Sequence, residues 1–338
     1  MRGGRGKRLI AHRGGVQAPE VARLVATHER GRRDMLPPAT GQRSPGTERL
    51  RARRAGAPAR TGPTPRGRRS LRGLPMRHLS RRSNQMKIGI LGVGAIGHTL
   101  TQRLSAAGHE VKVANSRGPE TIPAEVLASG GRAAHARDVV TDVDAVIVSI
   151  PLSAVPGVRS LIDEVPADAV VLDTSNYYPG RDGAIEALDN GQVESLWVAE
   201  QLGRPVVKAW NAITSQSFEL KCSPAGSRDR IAIPVAADAQ TDRELGMSLV
   251  EDTGFDGFDA GTLAESWRQQ PGAPAYCTDL TRDQLPAALA AAVAARSPRR
   301  RDLAFAAVIE VMSDPEDRMG EDFIMRLNRL LFSPSGVS

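Results

Sequence analysis

Cysteine, aromatic residues and long apolar runs are all scarce in this chain. The two cysteines, Cys222 and Cys277, lie far apart and form no CxxC pair, which argues against a disulfide framework or a structural zinc site. Aromatic residues make up 4% of the chain, so any core must consist mainly of Ala, Val, Leu and Ile. No apolar run approaches the roughly 20 residues that a membrane-spanning helix needs. We therefore expect a cytoplasmic protein with no membrane span and no metal site.

Histidine and basic charge are both distributed unevenly. None of the six histidines comes after His135, so the second half lacks the residue most often used in acid–base catalysis. Residues 1–85 hold 22 basic and 4 acidic residues, a net charge of +18, whereas residues 86–338 carry a net charge of −11. An acidic body would repel a phosphate backbone. We therefore expect no nucleic-acid binding by the folded part of the chain.

The segment 1–85 is dominated by Arg, Gly and Pro and has too few apolar residues to offset the entropy of ordering. We predict that it is a disordered basic tail. Such a composition is compatible with an arm for nucleic acid or anionic lipid, or with an organelle transit peptide. Met86 stands directly before the first strong strand pattern. We therefore favour the interpretation that the gene start has been placed too far upstream.

The strongest motif lies at 86–117. An apolar run at 87–91 predicts a buried parallel strand, and Gly92, Gly94 and Gly97 then form G-x-G-x-x-G. Apolar residues follow at helical spacing up to Gly108, and 110–115 alternates as a second strand. A strand, glycine turn, helix and strand in about 30 residues are typical of a dinucleotide-binding unit. Gly92 permits the tight turn, Gly94 lets the backbone approach the pyrophosphate, and Gly97 allows close helix packing.

The end of the second strand indicates which dinucleotide binds. An NAD site usually has an acidic residue there to bind the ribose 2′-hydroxyl, but this chain has Asn115, Ser116 and Arg117. A hydroxyl and a guanidinium can bind a 2′-phosphate through charge-assisted hydrogen bonds, whereas a carboxylate would repel it. The residues therefore favour NADP(H) as the cofactor.

Further strand patterns at 144–151, 169–175 and 205–213 alternate with helical lengths. This alternation predicts an α/β fold, a Rossmann-type doubly wound parallel sheet. Residues 86–213 would form the NADP-binding domain. Residues 214–338, with a strand pattern at 230–237, a helix near 240–253 and mostly helical sequence at 283–332, would form a smaller α+β segment that closes the substrate cleft. We interpret the arginine cluster at 299–301 as a solvated helix face.

The motifs GVGAIG, NSR, VSIP, VVKAWNAI and FDAGTL resemble the NADPH-dependent reductases of the deazaflavin coenzyme F-420, over approximately residues 86–265. The cytosolic domain of the STEAP-type membrane ferric reductases is similar. The resemblance implies hydride transfer between NADP(H) and a deazaflavin, commonly in a homodimer. It implies that Ser116 and Arg117 bind the 2′-phosphate. The pyrophosphate and nicotinamide would be held by Gly92, Val93, Gly94, Ala95, Ile96, Gly97, Asn115, Ile150, Pro151, Asn211 and Ala212, and the substrate by Trp210, Ile213 and Leu263.

Hydride transfer between two stacked rings depends on alignment of the rings more than on a protein acid. We therefore predict no catalytic side chain. If a proton donor is needed, the candidates are Lys208, Lys221, Tyr276 or an Asp.

Two departures from the family leave the identity of the hydride acceptor open. The segment 265–279 and the C-terminal helical part do not match, and the family's histidine is replaced by Asn211. An NADP-dependent hydroxyacid dehydrogenase or imine reductase is therefore the alternative, and a non-catalytic NADP-binding redox sensor is a third.

Overall fold

The computed structural model describes residues 85–313, 320 and 322–333. The expectations for the basic tail, Gln85 apart, lie outside the described residues. The strands are β1 Lys87–Leu91, β2 Glu110–Ala114, β3 Arg132–Ala133, β4 Ala145–Val148, β5 Val170–Asp173, β6 Val207–Lys208, β7 Ala232–Val235 and β8 Asp256–Asp259. The α-helices are α1 Ala95–Ala106, α2 Ala136–Val139, α3 Arg159–Ile162, α4 Pro179–Asp182, α5 Glu186–Asp189, α6 Glu194–Leu202, α7 Ser215–Leu220, α8 Gln240–Asp252, α9 Leu285–Ala290, α10 Ser297–Ser313 and α11 Phe323–Phe332. Short 3-10 helices span Pro119–Thr121, Ala124–Leu127, Leu152–Val158, Leu263–Gln269 and Ala294–Arg296.

Six parallel strands form the main sheet in the order β3-β2-β1-β4-β5-β6. The central strand β1 pairs on one side with β2, Leu91 opposite Ala114, and on the other with β4, Leu91 opposite Val148. The chain changes direction across the sheet between β1 and β4, and ligands of such sheets bind beyond the carboxyl ends of the strands at this switch point. The predicted Rossmann-type fold is confirmed.

Both faces of the sheet are buried, which explains the near-continuous apolar character of its strands. In β4, Ala145 and Ile147 contribute to one core cluster, whereas Val146 and Val148 contribute to the cluster on the opposite face. This alternation follows from the two-residue period of a strand. The sequence of β4 is therefore apolar on both sides because no face of it meets water.

The segment after residue 213 packs on the same core as the strands of the six-stranded sheet. β7 and β8 pair in parallel, and β7 is attached to β6 by a bridge in which Lys208 and Ala236 exchange two backbone hydrogen bonds of 2.8 and 3.0 Å. Phe218 and Phe255 belong to the core cluster that contains Ile88. The hydrophobic core thus continues across the boundary that the sequence suggests at 213.

The strand predicted at 205–213 is shorter than expected, since only Val207–Lys208 is extended and paired. Trp210 has a φ of +55°, in the left-handed region, which turns the chain out of the sheet.

The helical prediction for 240–253 is confirmed by α8, and the helical character of 283–332 by α9, α10 and α11. The apolar pattern at 230–237 is confirmed as β7.

None of the described helices is long and apolar enough to cross a lipid bilayer. Within residues 85–313, 320 and 322–333, no group of three or more His, Cys, Asp or Glu side chains is arranged to hold a metal ion.

Candidate active site

The glycine turn lies at the carboxyl end of β1 and is built from three glycines with different surroundings. Gly92 has a φ of +110°, and a Cβ there would collide with the Ser149 carbonyl oxygen. A Cβ on Gly97 would collide with the carbonyl oxygen of Gly92, so this glycine lets α1 approach the turn. At Gly94, by contrast, a Cβ would meet nothing within 4 Å. Gly94 therefore marks the open side of the turn, where a ligand can contact the backbone.

The start of α1 is suited to bind an anion. Gly94 is its N-cap residue and provides no side-chain hydrogen bond, and the first turn contains no acidic residue. The first N–H groups of a helix have no partner within the helix, and the helix dipole adds positive potential there. A diphosphate can accept hydrogen bonds from such groups. The turn thus has both the space and the donors that a dinucleotide requires.

A cavity of about 380 Å³, which we call the nucleotide cavity, lies between this turn and the C-terminal part of the chain. The carboxyl ends of β1, β4 and β5 form one side of it, and residues from 276–277 and α11 form the other. Its lining consists of Gly94, Ala95, Ile96, Ser149, Ile150, Pro151, Thr174, Ser175, Asn176, Tyr178, Arg181, Ile213, Thr214, Ser215, Tyr276, Cys277 and Ile324. The cavity thus coincides with the topological switch point of the sheet.

The end of β2 emerges beside the glycine turn, because the Gly92 N–H donates to the Ala114 carbonyl at 2.8 Å. The Asn115 side chain holds the following loop: its Oδ1 accepts from the Arg117 N–H at 2.9 Å and its Nδ2 donates to Thr121 Oγ1 at 2.8 Å. Ser116 and Arg117 are exposed. The Arg117 guanidinium has no hydrogen-bond or ion-pair partner among the described residues, so it is free to bind a phosphate.

The residues predicted for the nicotinamide, together with the predicted substrate residue Ile213, divide into two groups. Ile150, Pro151 and Ile213 line the nucleotide cavity. Asn211 and Ala212 are buried behind its wall, only 1% and 7% exposed. Ala212 packs with Tyr276 and Cys277, and its carbonyl accepts from the Cys277 N–H at 2.9 Å. The structure therefore places these two residues where they shape the wall.

Asn211 belongs to a network of amide side chains. Its Nδ2 donates to Asn176 Oδ1 at 3.1 Å and to the Gln269 carbonyl at 2.9 Å, and its Oδ1 accepts from Gln269 Nε2 at 2.9 Å. Asn176 in turn donates to the Asn211 carbonyl at 3.0 Å. Asn176 is part of the cavity lining, so the network orients a polar group at the cavity surface.

Three further predicted residues lie outside the cavity lining. Trp210 is 1% exposed in the main core cluster, and its indole donates to Thr253 Oγ1 at 3.3 Å. Leu263 is 1% exposed in the cluster on the opposite face of the sheet. Val93, in the glycine turn, packs partly buried against the main core cluster. Because apolar residues after a strand can pack inward as easily as line a cleft, sequence reasoning could not separate these two roles.

The cavity wall contains a pair of tyrosines that the sequence motifs did not bring together. The hydroxyl oxygens of Tyr178 and Tyr276 lie 2.8 Å apart and form a hydrogen bond. Burial raises the pKa of both phenols above the usual value, so both are protonated at neutral pH. The sequence offers Tyr276 only as one of several possible proton donors, and no sequence signal points to Tyr178 or to the pairing.

Arg181 and Cys277 complete this wall. The Arg181 guanidinium lies 5.3 Å from the centroid of the Tyr178 ring and donates to the Asn176 carbonyl at 2.6 Å. Cys277 has a φ of +53°, a left-handed conformation that is costly for a residue with a side chain. Burial raises the pKa of its thiol, so the group is a neutral thiol and a poor nucleophile.

The other candidate proton donors lie elsewhere. Lys208 is fully buried, and its Nζ donates to Asp173 Oδ2 at 2.6 Å and to the Ser175 carbonyl at 2.5 Å. Lys221 forms ion pairs with Asp279, at 2.8 Å, and with Asp322. Neither lysine lines the nucleotide cavity.

Comparison with known proteins finds similarities over the segment that contains the glycine turn. Residues 87–177 match the family model described as NADP oxidoreductase coenzyme F420-dependent, which confirms the resemblance found in the motifs. The chain is also 54% identical over 56 residues to the protein YjhV of Escherichia coli (strain K12). That match covers 17% of this chain and 41% of the relative, so the chain spans less than half the length of YjhV.

Solved structures share the fold. A protein of undescribed function from Sinorhizobium meliloti, SMa0349, matches with a TM-score of 0.50 and 25% identity, over 60% of this chain and 97% of that one. A protein of Arthrobacter sp. FB24 provisionally described as an F420-dependent NADP reductase matches with a TM-score of 0.44 and 19% identity, over 54% of this chain and 87% of that one. The similarity to coenzyme F420-dependent NADP oxidoreductases thus covers residues 87–177.

Proposed function

We propose that the chain transfers a hydride between NADP(H) and a deazaflavin-type coenzyme like F-420 or a similar planar acceptor. The premise is that residues 87–177 match the family of coenzyme F420-dependent NADP oxidoreductases. The observation that carries the proposal is the glycine turn that opens at Gly94 into the cavity beyond β1, β4 and β5. The bound dinucleotide supplies or receives the hydride.

The residues of the site fit NADP(H). The N–H groups at the start of α1, around Gly94 and Ala95, would bind the diphosphate, and Ser116 and Arg117 would bind the 2′-phosphate. Because no acidic residue occurs at Asn115–Arg117, the site lacks the carboxylate with which an NAD-type site would repel the 2′-phosphate of NADP. Ile150, Pro151 and Ile213 provide an apolar surface for the nicotinamide ring.

The remaining wall would position the acceptor and exclude water. Tyr276, Cys277 and Ile324 come from the C-terminal part of the chain and face the strand ends across the cavity. In this proposal the segment 214–338 therefore closes the cleft. Alignment of two planar rings in such a cleft can account for much of the rate acceleration.

The tyrosine pair favours a second candidate function, reduction of a carbonyl or imine. Such a reaction needs a proton at oxygen or nitrogen when the hydride reaches carbon, and the neutral phenol of Tyr276 can supply it. The neighbouring Tyr178 hydroxyl, at 2.8 Å, would pass a replacement proton. This candidate corresponds to the hydroxyacid dehydrogenase or imine reductase alternative.

The test is consumption of NADPH by the purified chain with oxidised F-420, FMN, a quinone or a cyclic imine. The deazaflavin proposal expects turnover with F-420, and expects Tyr276→Phe to retain an appreciable fraction of it. Turnover with the imine alone, abolished by Tyr276→Phe while NADPH still binds, would replace the first proposal with the second. NADPH binding without turnover on any acceptor would favour a redox sensor.

The same resemblance leads us to propose a homodimer. Light scattering on the purified chain measures its mass in solution, and a monomer at micromolar concentration would contradict this part of the proposal.

A further inference from the structure

A second cavity of about 420 Å³ lies on the other side of the segment 176–178 from the nucleotide cavity. Asn176 and Tyr178 line the nucleotide cavity, whereas the intervening Tyr177 lines this second one. We call it the rear cavity. Its lining includes Tyr177, Val193, Glu194, Trp267, Gln270 and Arg301. No part of the proposed hydride transfer uses it.

Arg301 provides a buried cation at the wall of the rear cavity. It is 9% exposed, its guanidinium lies 5.1 Å from the centroid of the Tyr177 ring, and its Nε donates to Asp302 at 2.8 Å. The terminal guanidinium nitrogens have no acceptor among the described residues. The expectation that the arginine cluster at 299–301 forms a solvated face is thus wrong for Arg301, because its side chain is buried with the guanidinium over the Tyr177 ring.

The surroundings of Arg301 add positive potential. Arg301 lies near the start of α10, whose first turn contains no acidic residue. Helices usually carry acidic residues at this end to offset the positive pole of the helix dipole. Here the pole and the Arg301 guanidinium reinforce each other, which favours an anion. Arg299 and Arg300 line a different surface cavity, together with Leu303 and Leu331.

Two further polar groups face the rear cavity. Glu194 is 5% exposed, and its Oε2 accepts from the Tyr177 N–H at 3.1 Å. Although Glu194 and Arg301 line the same cavity, they form neither a hydrogen bond nor an ion pair with each other. The buried Gln270 Nε2 has no hydrogen-bond partner, and a buried donor without an acceptor is costly. A ligand oxygen between these groups would satisfy both Gln270 and Arg301.

The charge of Glu194 does not oppose an anion strongly. Burial raises the pKa of this carboxyl to about 7, against the lowering effect of Lys208 and Arg301. A protonated Glu194 can donate a hydrogen bond. Asp189, the other acid of the lining, is exposed, and its Oδ1 accepts from the Tyr177 hydroxyl at 2.9 Å.

The rest of the lining is mixed, with the polar residues Asn190, Gln192 and Ser297 beside several apolar side chains. The Trp267 ring, Val193, Pro271 and two alanines, Ala294 and Ala295, surround the polar groups. Ligand sites commonly combine a few convergent polar groups with apolar walls. We propose that the rear cavity binds a small monocarboxylate with an apolar body, its carboxylate held by the Arg301 guanidinium and the Gln270 amide and its body placed against Trp267.

Calorimetric titration of the full chain with benzoate tests the proposal. We expect saturable binding of one benzoate per chain, retained in the presence of saturating NADPH because the nucleotide cavity is separate. Benzamide, which has the same shape without the charge, should bind roughly tenfold or more weakly. Absence of saturable binding, equal affinity for benzamide, or displacement of benzoate by NADPH would each overturn the proposal.

Tryptophan fluorescence locates the site. Of the three tryptophans, Trp197 and Trp210 are 7% and 1% exposed in the core, so Trp267 is the one that a rear-cavity ligand can reach. Benzoate should change the emission of the chain, and Trp267→Phe should remove that change. An unaltered response in Trp267→Phe would place benzoate elsewhere and contradict the proposal.

Substitutions identify the binding groups. Arg301→Gln should weaken benzoate binding by roughly tenfold to a hundredfold, whereas Arg299→Gln, an exposed change two residues earlier on α10, should leave it unaltered. Gln270→Met keeps the volume and breaks no hydrogen bond of Nε2, so it should fold normally and weaken binding roughly threefold to tenfold. If Arg301→Gln fails to fold, the benzoate affinity of Gln270→Met tests the proposal by itself. Unchanged benzoate affinity in the folded variants would refute the assignment of these binding groups.

Discussion

Lys208 and Asp173 form an ion pair of 2.6 Å in which both side chains are fully buried. The pair joins the ends of the adjacent strands β6 and β5. Asp173 Oδ1 also accepts from the Ser175 N–H at 3.0 Å, and Lys208 donates to the Ser175 carbonyl. Since Ser175 lines the nucleotide cavity, the pair holds in place the chain segment that forms part of the cavity surface.

Removing one partner of this pair should be strongly destabilising. Lys208→Met leaves the Asp173 carboxylate buried without its cation, and such a change costs about 3–5 kcal/mol in the free energy of unfolding. Urea denaturation followed by circular dichroism measures it. The double variant Asp173→Asn/Lys208→Met should recover part of the loss, because it removes the unpaired charge. A loss below about 1 kcal/mol in the single variant would show that water reaches the pair.

Arg117→Ala should weaken NADPH binding selectively. The loss of a hydrogen bond to a charged group corresponds to about 1.5–3 kcal/mol, hence roughly tenfold to a hundredfold in affinity. NADH lacks the 2′-phosphate, so its affinity should stay the same. Fluorescence titration with both cofactors measures the ratio, with the exposed Arg296→Ala as the control. Equal weakening of both cofactors would contradict the role assigned to Arg117.

Gly94→Ala and Gly97→Ala should have opposite effects on folding and binding. Gly94 has a φ of −72° and open space at its Cβ position, so alanine fits the fold but obstructs a ligand on the backbone. We expect normal stability and NADPH affinity lower by roughly tenfold.

At Gly97 a Cβ collides with the Gly92 carbonyl. We expect a loss of stability of about 1–3 kcal/mol, as for overpacking in a core. Thermal denaturation and NADPH titration of both variants distinguish the two positions. If Gly94→Ala binds NADPH as the parent does, the diphosphate does not contact this turn.

Glu194 should make stability depend on pH. Burial raises its pKa to about 7 in the folded chain, from an ordinary value of 4.5, and the charge of Asp173 adds to this, whereas the Tyr177 N–H and the cations Lys208 and Arg301 lower it. Between these pH values the folded state binds more protons than the unfolded state. The free energy of unfolding should therefore fall by up to about 3 kcal/mol as the pH rises from 4.5 to 7.

Glu194→Gln keeps an oxygen for the Tyr177 N–H and removes this titration. Its stability relative to the parent should rise by up to about 3 kcal/mol between pH 5 and pH 8. Glu200→Gln, an exposed change on the same helix α6, is the matched control. Denaturation curves at pH 5, 6, 7 and 8 measure the difference, and a constant offset between Glu194→Gln and the parent would contradict the prediction.

The nucleotide-binding half of the site could be predicted from the sequence because its signals are local. The strand, the glycine turn and α1 follow each other within 86–106, and backbone sterics restrict what can occupy Gly92 and Gly97. The residues at the end of β2 lie beside the turn because parallel neighbours share one edge of the sheet. Periodicity and turn chemistry were therefore sufficient for the fold class and for the placement of Arg117.

The acceptor side and the rear cavity were decided by the tertiary structure. Tyr178 and Tyr276 are 98 residues apart in the chain, and their hydroxyls meet only because the segment 273–279 folds back onto the sheet edge. Arg301 has the sequence context of a solvated residue, yet packing against Tyr177 buries it. The period of apolar residues indicates which face of a helix or strand is apolar, but it does not indicate which distant element packs against that face. Contacts between residues far apart depend on how the whole chain packs, which no local pattern encodes.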